Sequence, residues 1–262
     1  MDLVCSENCD TSNLLSKKCI TIHDPVIHDD ERVLQNLLLT QNRYVIKTSY
    51  FKCLQTDLDV YMRELVANWM LEVCEEERCE KDVFPLAMNI MDRFLSQVRI
   101  RKSQLQLLGA VSLFLSSKVK QIEPLRVNRL ILYSDYSITR DQLSNWELLV
   151  LSHLKWDTSA VTPNDFLNLI LRRLPTKGKD KLMTIKKHAQ TFIALCATDF
   201  RFSMLPPSSV AASCIATAIL GLTRNNSQST KDLLATLCKL TNLESTDLLE
   251  IRRTIEEVLK AQ

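Results

Sequence analysis

The sequence predicts an all-α protein: two tandem five-helix bundles, preceded by a short helix and a flexible tail. Three observations carry that prediction. Glycine is scarce, with three in 262 residues, whereas phosphate-cradling loops and strand-rich folds consume it. Apolar residues recur at helical spacing along most of the chain, and no useful stretch alternates with the period of a strand. Helix-start signals in the second half repeat those of the first. With 46% hydrophobic residues, the chain can bury a core in one large domain or in two of roughly 100 residues.

Residues 1–28 are polar and aperiodic, and read as a flexible tail. Asp29 or Asp30 then caps a short helix carrying Val33, Leu34, Leu37 and Leu38. From about residue 56, Met62, Leu65, Val66, Trp69, Met70 and Val73 fall on one helical stripe. A second helix has Pro85 in its first turn and turns Ala87, Ile90, Met91, Phe94 and Leu95 inward. The third starts at Ser103 and runs over 105–120. It is apolar nearly all round, and Gly109, Ala110 and Ser112 permit close approach, so it should be the central helix of its bundle.

A short helix over 127–133 precedes a capping box at Thr139 and Gln142, with Ile138 stapling onto Leu143; that fifth helix ends near Leu154. Thr162-Pro163-Asn164-Asp165 repeats the start signal and opens a second unit. Its helices are expected over 162–174, 180–199, 207–221, 229–239 and 244–260, separated by Pro175-Thr176-Lys177-Gly178, Pro206-Pro207 and Asn225-Asn226-Ser227. The chain therefore divides into 1–28, 29–157 and 158–262. Asp92-Arg93-Phe94-Leu95-Ser96 is echoed by Asp199-Phe200-Arg201-Phe202-Ser203.

Charge and motifs exclude several functions. Lys+Arg 33 against Asp+Glu 31 leaves no long-range field aimed at nucleic acid or an anionic membrane. The longest apolar stretches, 105–117 and 210–222, are too short to cross a hydrocarbon layer of ~30 Å. The first seven residues lack a basic region and an apolar core, so a secretory signal is not expected, and the nine cysteines should be free thiols. Cys5/Cys9 and Cys74/Cys79 have no second Cys/His pair at zinc spacing; neither a metal nor a cofactor is expected. No G-x-S-x-G, phosphate-loop or H-E-x-x-H motif occurs, and His23, His28, His153 and His188 sit in unrelated settings. A chain of this kind acts by contact rather than by catalysis.

Two charges fall on apolar arcs of a helical wheel. Lys118 lands within the arc of Leu107, Val111, Phe114 and Leu115, and Glu147 within that of Leu143, Val150, Leu151 and Leu154. A lone charge there needs a partner. Either Lys118 snorkels and pairs within the chain, with Glu147 as a candidate, or both line an edge that another protein covers. On the first long helix Met62, Leu65, Val66 and Trp69 read most simply as core. Met and Trp also serve adaptable peptide grooves, where Arg63 and Glu72 on flanking positions would orient a charged ligand.

Longer motifs now add a resemblance. The run 62–76 (MRELVANWMLEVCEE), Val83-Phe84-Pro85-Leu86-Ala87-Met88-Asn89, Asp92-Arg93-Phe94-Leu95-Ser96, Leu105-Gln106-Leu107-Leu108-Gly109-Ala110, Leu154-Lys155-Trp156 and Lys187-His188-Ala189-Gln190-Thr191-Phe192 closely resemble a D-type cyclin, in the family's order, over about 29–222. The resemblance implies two cyclin boxes and a regulatory subunit that binds and activates a G1-class cyclin-dependent kinase. It implies location in nucleus and cytoplasm. Lys118 and Glu147 match the family's lysine and glutamate at the kinase interface. Met62, Leu65, Val66, Trp69 and Glu72, with Lys102, Leu105 and Gln106, match the docking patch for R-x-L peptides of substrates and Cip/Kip-type inhibitors, Arg63 lying among them. Leu65 and Lys102 are substitutions relative to some members, which leaves peptide preference open. Leu3-x-Cys5-x-Glu7 has the L-x-C-x-E form that engages retinoblastoma-family pockets. The family usually continues into an acidic tail with a phosphorylatable threonine. This sequence ends at Lys260-Ala261-Gln262, the expectation being a short variant or a truncation. The alternative to activation is a cyclin-like binder that sequesters kinase or pocket protein.

Overall fold

The structure, a computed structural model, describes residues 30–174, 179–222 and 228–261, and among them holds helices and no strands. Helix α1 is Glu31–Thr40, and its N-cap is Asp30, whose carboxylate accepts from the Arg32 backbone N–H at 2.8 Å. The first bundle follows: α2 (Tyr50–Cys53), α3 (Val60–Glu76), α4 (Val83–Leu95), α5 (Leu105–Lys120), α6 (Val127–Tyr133) and α7 (Arg140–His153). The second comprises α8 (Pro163–Arg173), α9 (Lys179–Thr198), α10 (Phe200–Ser203), α11 (Pro207–Leu222), α12 (Gln228–Thr241) and α13 (Ser245–Ala261).

Local chemistry sets these boundaries. Helix α3 begins later than the apolar pattern suggests because Asp59 caps it, accepting from Met62 N at 2.7 Å. Thr139 and Gln142 form the reciprocal box at the start of α7, and Thr162 and Asp165 form one at the start of α8. Helices α6 and α7 end alike, on two successive left-handed residues, Asp135 and Tyr136 in one case and Lys155 and Trp156 in the other. Their backbone N–H groups fold back onto the last carbonyls, Tyr136 to Ile131 and Trp156 to Leu151. The sequence reading missed α2, α10 and the 3₁₀ turns Gln41–Arg43 and Lys102–Gln104, each four residues or fewer and too short to display a period.

Helix α5 is the hub of the first bundle, buried from Leu105 to Ser117 apart from Gln106. It lies so close to α3 that a Cβ at Gly109 would meet Val66 Cγ1 at 2.8 Å. Helix α11 is the corresponding hub of the second bundle. The two cores trade elements across their junction. Helix α1, grouped by sequence with the N-terminal unit, packs Val33, Leu34, Leu37 and Leu38 into the second core, and Phe200 from the second half enters the first. The reason is the amphipathic face of α1, which lies on α8, with Arg173 donating to the Asp30 carbonyl. The echoed segments also differ in local structure, since Asp92 lies inside α4 and Asp199 caps α10.

Candidate functional site

Helix α3 presents two faces, and they separate stability from recognition. At 100° per residue, Arg63, Ala67, Met70 and Cys74 form its deepest stripe, with Val73 beside them. The stripe read from sequence holds Met70 and Val73, which are buried, but its other members form the neighbouring edge: Leu65 is 51% exposed, and Met62, Val66 and Trp69 are half-buried. Arg63 is consequently not part of a peptide-binding surface, and that expectation is corrected. It is 1% exposed because a polar socket awaits it. Nε and Nη2 donate to the two oxygens of Asp92 at 2.8 Å each, and Nη1 donates to the Thr198 carbonyl at 2.6 Å. Asp92 also accepts from Tyr50 Oη at 2.8 Å and from Ser203 Oγ at 2.7 Å. Burial pulls the Arg63 pKa down, but the charge and hydrogen bonds of Asp92 outweigh it and hold the guanidinium firmly protonated. Burial and the Asp92 charge push the Tyr50 phenol well up.

The exposed edge of α3 and the start of α5 form an open groove of about 390 Å³, lined by Met62, Leu65, Val66, Lys102, Ser103, Leu105 and Gln106. Its lining is almost wholly apolar, with Leu105 as buried floor. The chain fixes its polar ends: the Lys102 backbone N–H donates to Asp57, and Ser137 Oγ donates to Gln106 Oε1 at 3.2 Å. Trp69 continues the same face, its indole N–H donating to the Tyr133 carbonyl at 3.0 Å. Glu72, exposed, lies a turn further on.

Lys118 and Glu147 meet. Lys118 Nζ lies 2.6 Å from Glu147 Oε1 and 3.9 Å from the centre of the Phe114 ring. The lysine side chain is 41% exposed and the glutamate 17%, so the pair bridges α5 and α7 at the surface rather than in the core. Exposed apolar residues surround it in sequence: Val119 and Ile122 after the lysine, Leu148 and Leu149 after the glutamate, and Trp156 beyond α7. The sequence reading missed this rim. Its signal was large apolar side chains next to each charge but off the buried arc. Gln106 and Lys118 stand at opposite ends of α5, about 18 Å apart along its axis. Leu3, Cys5 and Glu7 lie outside the described residues. Among the described residues no cluster of His, Cys, Asp and Glu is arranged to hold a metal ion, and no helix is long and apolar enough to cross a membrane.

Residues 32–159 match the family description of a cyclin N-terminal domain, and residues 161–262 that of a cyclin C-terminal domain. Over 239 residues the chain is 52% identical to G1/S-specific cyclin-D2 of Xenopus laevis, covering 90% of this chain and 82% of that one. The chain belongs to the D-type cyclin family. This D-type cyclin is also 48% identical to human G1/S-specific cyclin-D3 over 237 residues, covering 90% of the chain and 80% of the relative. Its fold matches the crystal structure of a viral cyclin from herpesvirus saimiri, with a TM-score of 0.76 at 29% identity, covering 87% of this chain and 97% of that one. Cyclins are regulatory subunits of cyclin-dependent kinases and not enzymes themselves, and the D-type cyclin described here shares that role.

Proposed function

We propose that this cyclin binds and activates a G1-class cyclin-dependent kinase through the surface around Lys118 and Glu147. While bound there, it presents retinoblastoma-family substrates through a second, separate site and so promotes the G1/S transition. The observation that supports this reading most is the division of labour along α5. One end carries a surface ion pair in an apolar rim, and the other carries an apolar groove with fixed polar ends. An interface core that is apolar with a few oriented charges is the usual composition of a specific protein contact. The groove suits a short peptide with an aliphatic anchor, which is the class formed by R-x-L segments of substrates and Cip/Kip-type inhibitors. Leu3-x-Cys5-x-Glu7 would add a contact to the pocket protein as an extended segment. We further propose, on the family resemblance alone, that it acts in nucleus and cytoplasm.

The deciding experiment mixes the purified chain with a G1-class kinase and measures phosphorylation of a retinoblastoma-family fragment. Activity should rise on addition of the chain, and fall towards that of a generic substrate when a competing R-x-L peptide fills the groove. Binding without a rise in activity would make the protein a sequestering cyclin-like binder instead.

A further inference from the structure

Away from the groove and the kinase-facing pair, a third concave site lies where the segment 43–48, the end of α4 and the end of α7 converge. It is a cleft of about 490 Å³ whose walls include Arg43, Lys47, Arg93 and Lys155, with Asp157 as the one carboxylate among its lining residues. That carboxylate is already engaged. Tyr44 Oη donates to its Oδ1 at 3.1 Å, and Arg43 pairs with Oδ2 at 2.7 Å, with Arg93 4.0 Å away on the same oxygen. Lys47 and Lys155 form no ion pair among the described residues, and both are exposed.

Helix ends explain only part of this charge. Arg93 sits in the last turn of α4, where a cation complements the helix dipole and also donates to the Asp157 carbonyl at 2.9 Å. Arg43 ends the 3₁₀ turn Gln41–Arg43, and Lys47 lies in the segment that follows it, outside any helix. Arg43 and Arg93 flank the ring of Tyr44, their guanidinium carbons 5.7 and 5.1 Å from its centre. Tyr44 thus lies between two of the cleft's cations, and Lys155, in the left-handed region, lines the cleft as well.

We propose that this cleft binds a phosphate dianion, presented on a phosphorylated side chain or as a free phosphate. The fit is one of charge and number. Four cations line the cleft against a single carboxylate already engaged with two of them, and a dianion with three acceptor oxygens supplies the charge and acceptors that Asp157 cannot. The inference stands apart from the kinase and groove readings, since none of the cleft's cations belongs to either site.

The test titrates the full chain with three probes: N-acetyl-phosphothreonine methylamide, its unphosphorylated form, and inorganic phosphate, read by calorimetry or phosphorus NMR. Saturable binding of one phosphate per chain is expected, absent for the unphosphorylated probe and weakened by added salt. Lys47→Glu with Lys155→Glu should weaken it roughly tenfold or more, while Lys118→Glu should leave it unchanged. Both lysines are exposed, so circular dichroism of the double variant should match that of the parent. A phosphothreonine probe that outcompetes phosphate identifies a side-chain ligand, and equal affinity identifies a free anion. No saturable binding, or binding indifferent to the two lysines, overturns the proposal.

Discussion

Two arginine- or lysine-to-carboxylate pairs, both made across helices of the first bundle, occupy opposite extremes of environment. Arg63 and Asp92 are 1% and 2% exposed, and every polar atom that matters is claimed by a neighbour, including Thr198 and Ser203 of the second half. Lys118 and Glu147 have the shorter contact, 2.6 Å against 2.8 Å, yet remain open to water. Distance therefore says little about role. A buried pair is a commitment: removing one member strands a charge out of water. An exposed pair holds two side chains in register at little net gain, and leaves both charges available to a partner. The first fastens the two bundles to each other; the second is suited to recognition.

The comparison is broken most severely by removing half of the buried pair. Asp92→Ala leaves the Arg63 guanidinium uncompensated and should cost about 3–5 kcal/mol. For a chain of this size that lowers the melting temperature by roughly 6–20 °C. Arg63→Met combined with Asp92→Leu should recover part of the loss, with Tyr50 and the Thr198 carbonyl still lacking their partners. If the single variant melts like the parent, the pair does not fasten the junction.

Lys118→Glu should show the reverse. Thermal melting should change by less than about 1 kcal/mol, as expected for an exposed pair. Kinase binding should weaken by about 2–5 kcal/mol, because the substitution turns attraction into repulsion against Glu147 and whatever covers it. A destabilised monomer that still activates the kinase would make this pair a second structural fastener and remove the contrast.

These two pairs were not equally legible in the sequence. Lys118 and Glu147 could be found because each sits on an arc whose other members are apolar, and one helix suffices to see the conflict. Arg63 gave no such warning. It adjoins Met62 and Glu64 in a mixed segment, its carboxylate lies 29 positions on, and its carbonyl acceptor 135 positions on. A wheel drawn for α3 alone put Met62, Leu65, Val66 and Trp69 on the buried stripe together with Met70 and Val73, of which only the last two are buried. Packing against α5 and the second bundle turned the helix toward Arg63 instead. The long helices were readable for the converse reason: caps such as Thr139 and Thr162 and the apolar periods are local. Helix α10 and the exchange of α1 and Phe200 between cores depend on tertiary contacts that no local period records.

The groove sharpens the contrast further, since its rim should contribute to binding without contributing to folding. Leu65→Ala with Met62→Ala should weaken an R-x-L peptide by about 1–3 kcal/mol if these are anchors. Stability should fall only slightly because Leu65 is half in water. Trp69→Ala is the poorer probe, since it also removes the bond to the Tyr133 carbonyl. Peptide affinity unchanged in the folded double variant would return the edge of α3 to a packing role.

The smallest expected effect concerns a charge intermediate between the two pairs. Asp82 precedes α4 at the bundle junction, caps nothing with its side chain, and is partly buried beside Asp165, whose charge is shared with Lys120 at 3.3 Å. Burial, helped by the Asp165 charge and opposed by Lys120, raises its pKa above the ordinary carboxylate value. A raised acid binds its proton more tightly in the folded state than in the unfolded one. At neutral pH, where it is ionised in both, it therefore subtracts from stability, and the deficit shrinks as pH falls through the folded value. Asp82→Asn removes the charge while keeping the shape, so it should stabilise the protein at pH 7 by about 0.5 kcal/mol. The gap between variant and parent should narrow on acidification and close below the unfolded carboxylate value, near 3.8. Paired melting curves across that range check the sign: a variant less stable than the parent at pH 7, with the difference lost on acidification, would mean that Asp82 is held by Lys120 as a true partner, and that the junction carries a second buried pair rather than an acid raised by burial.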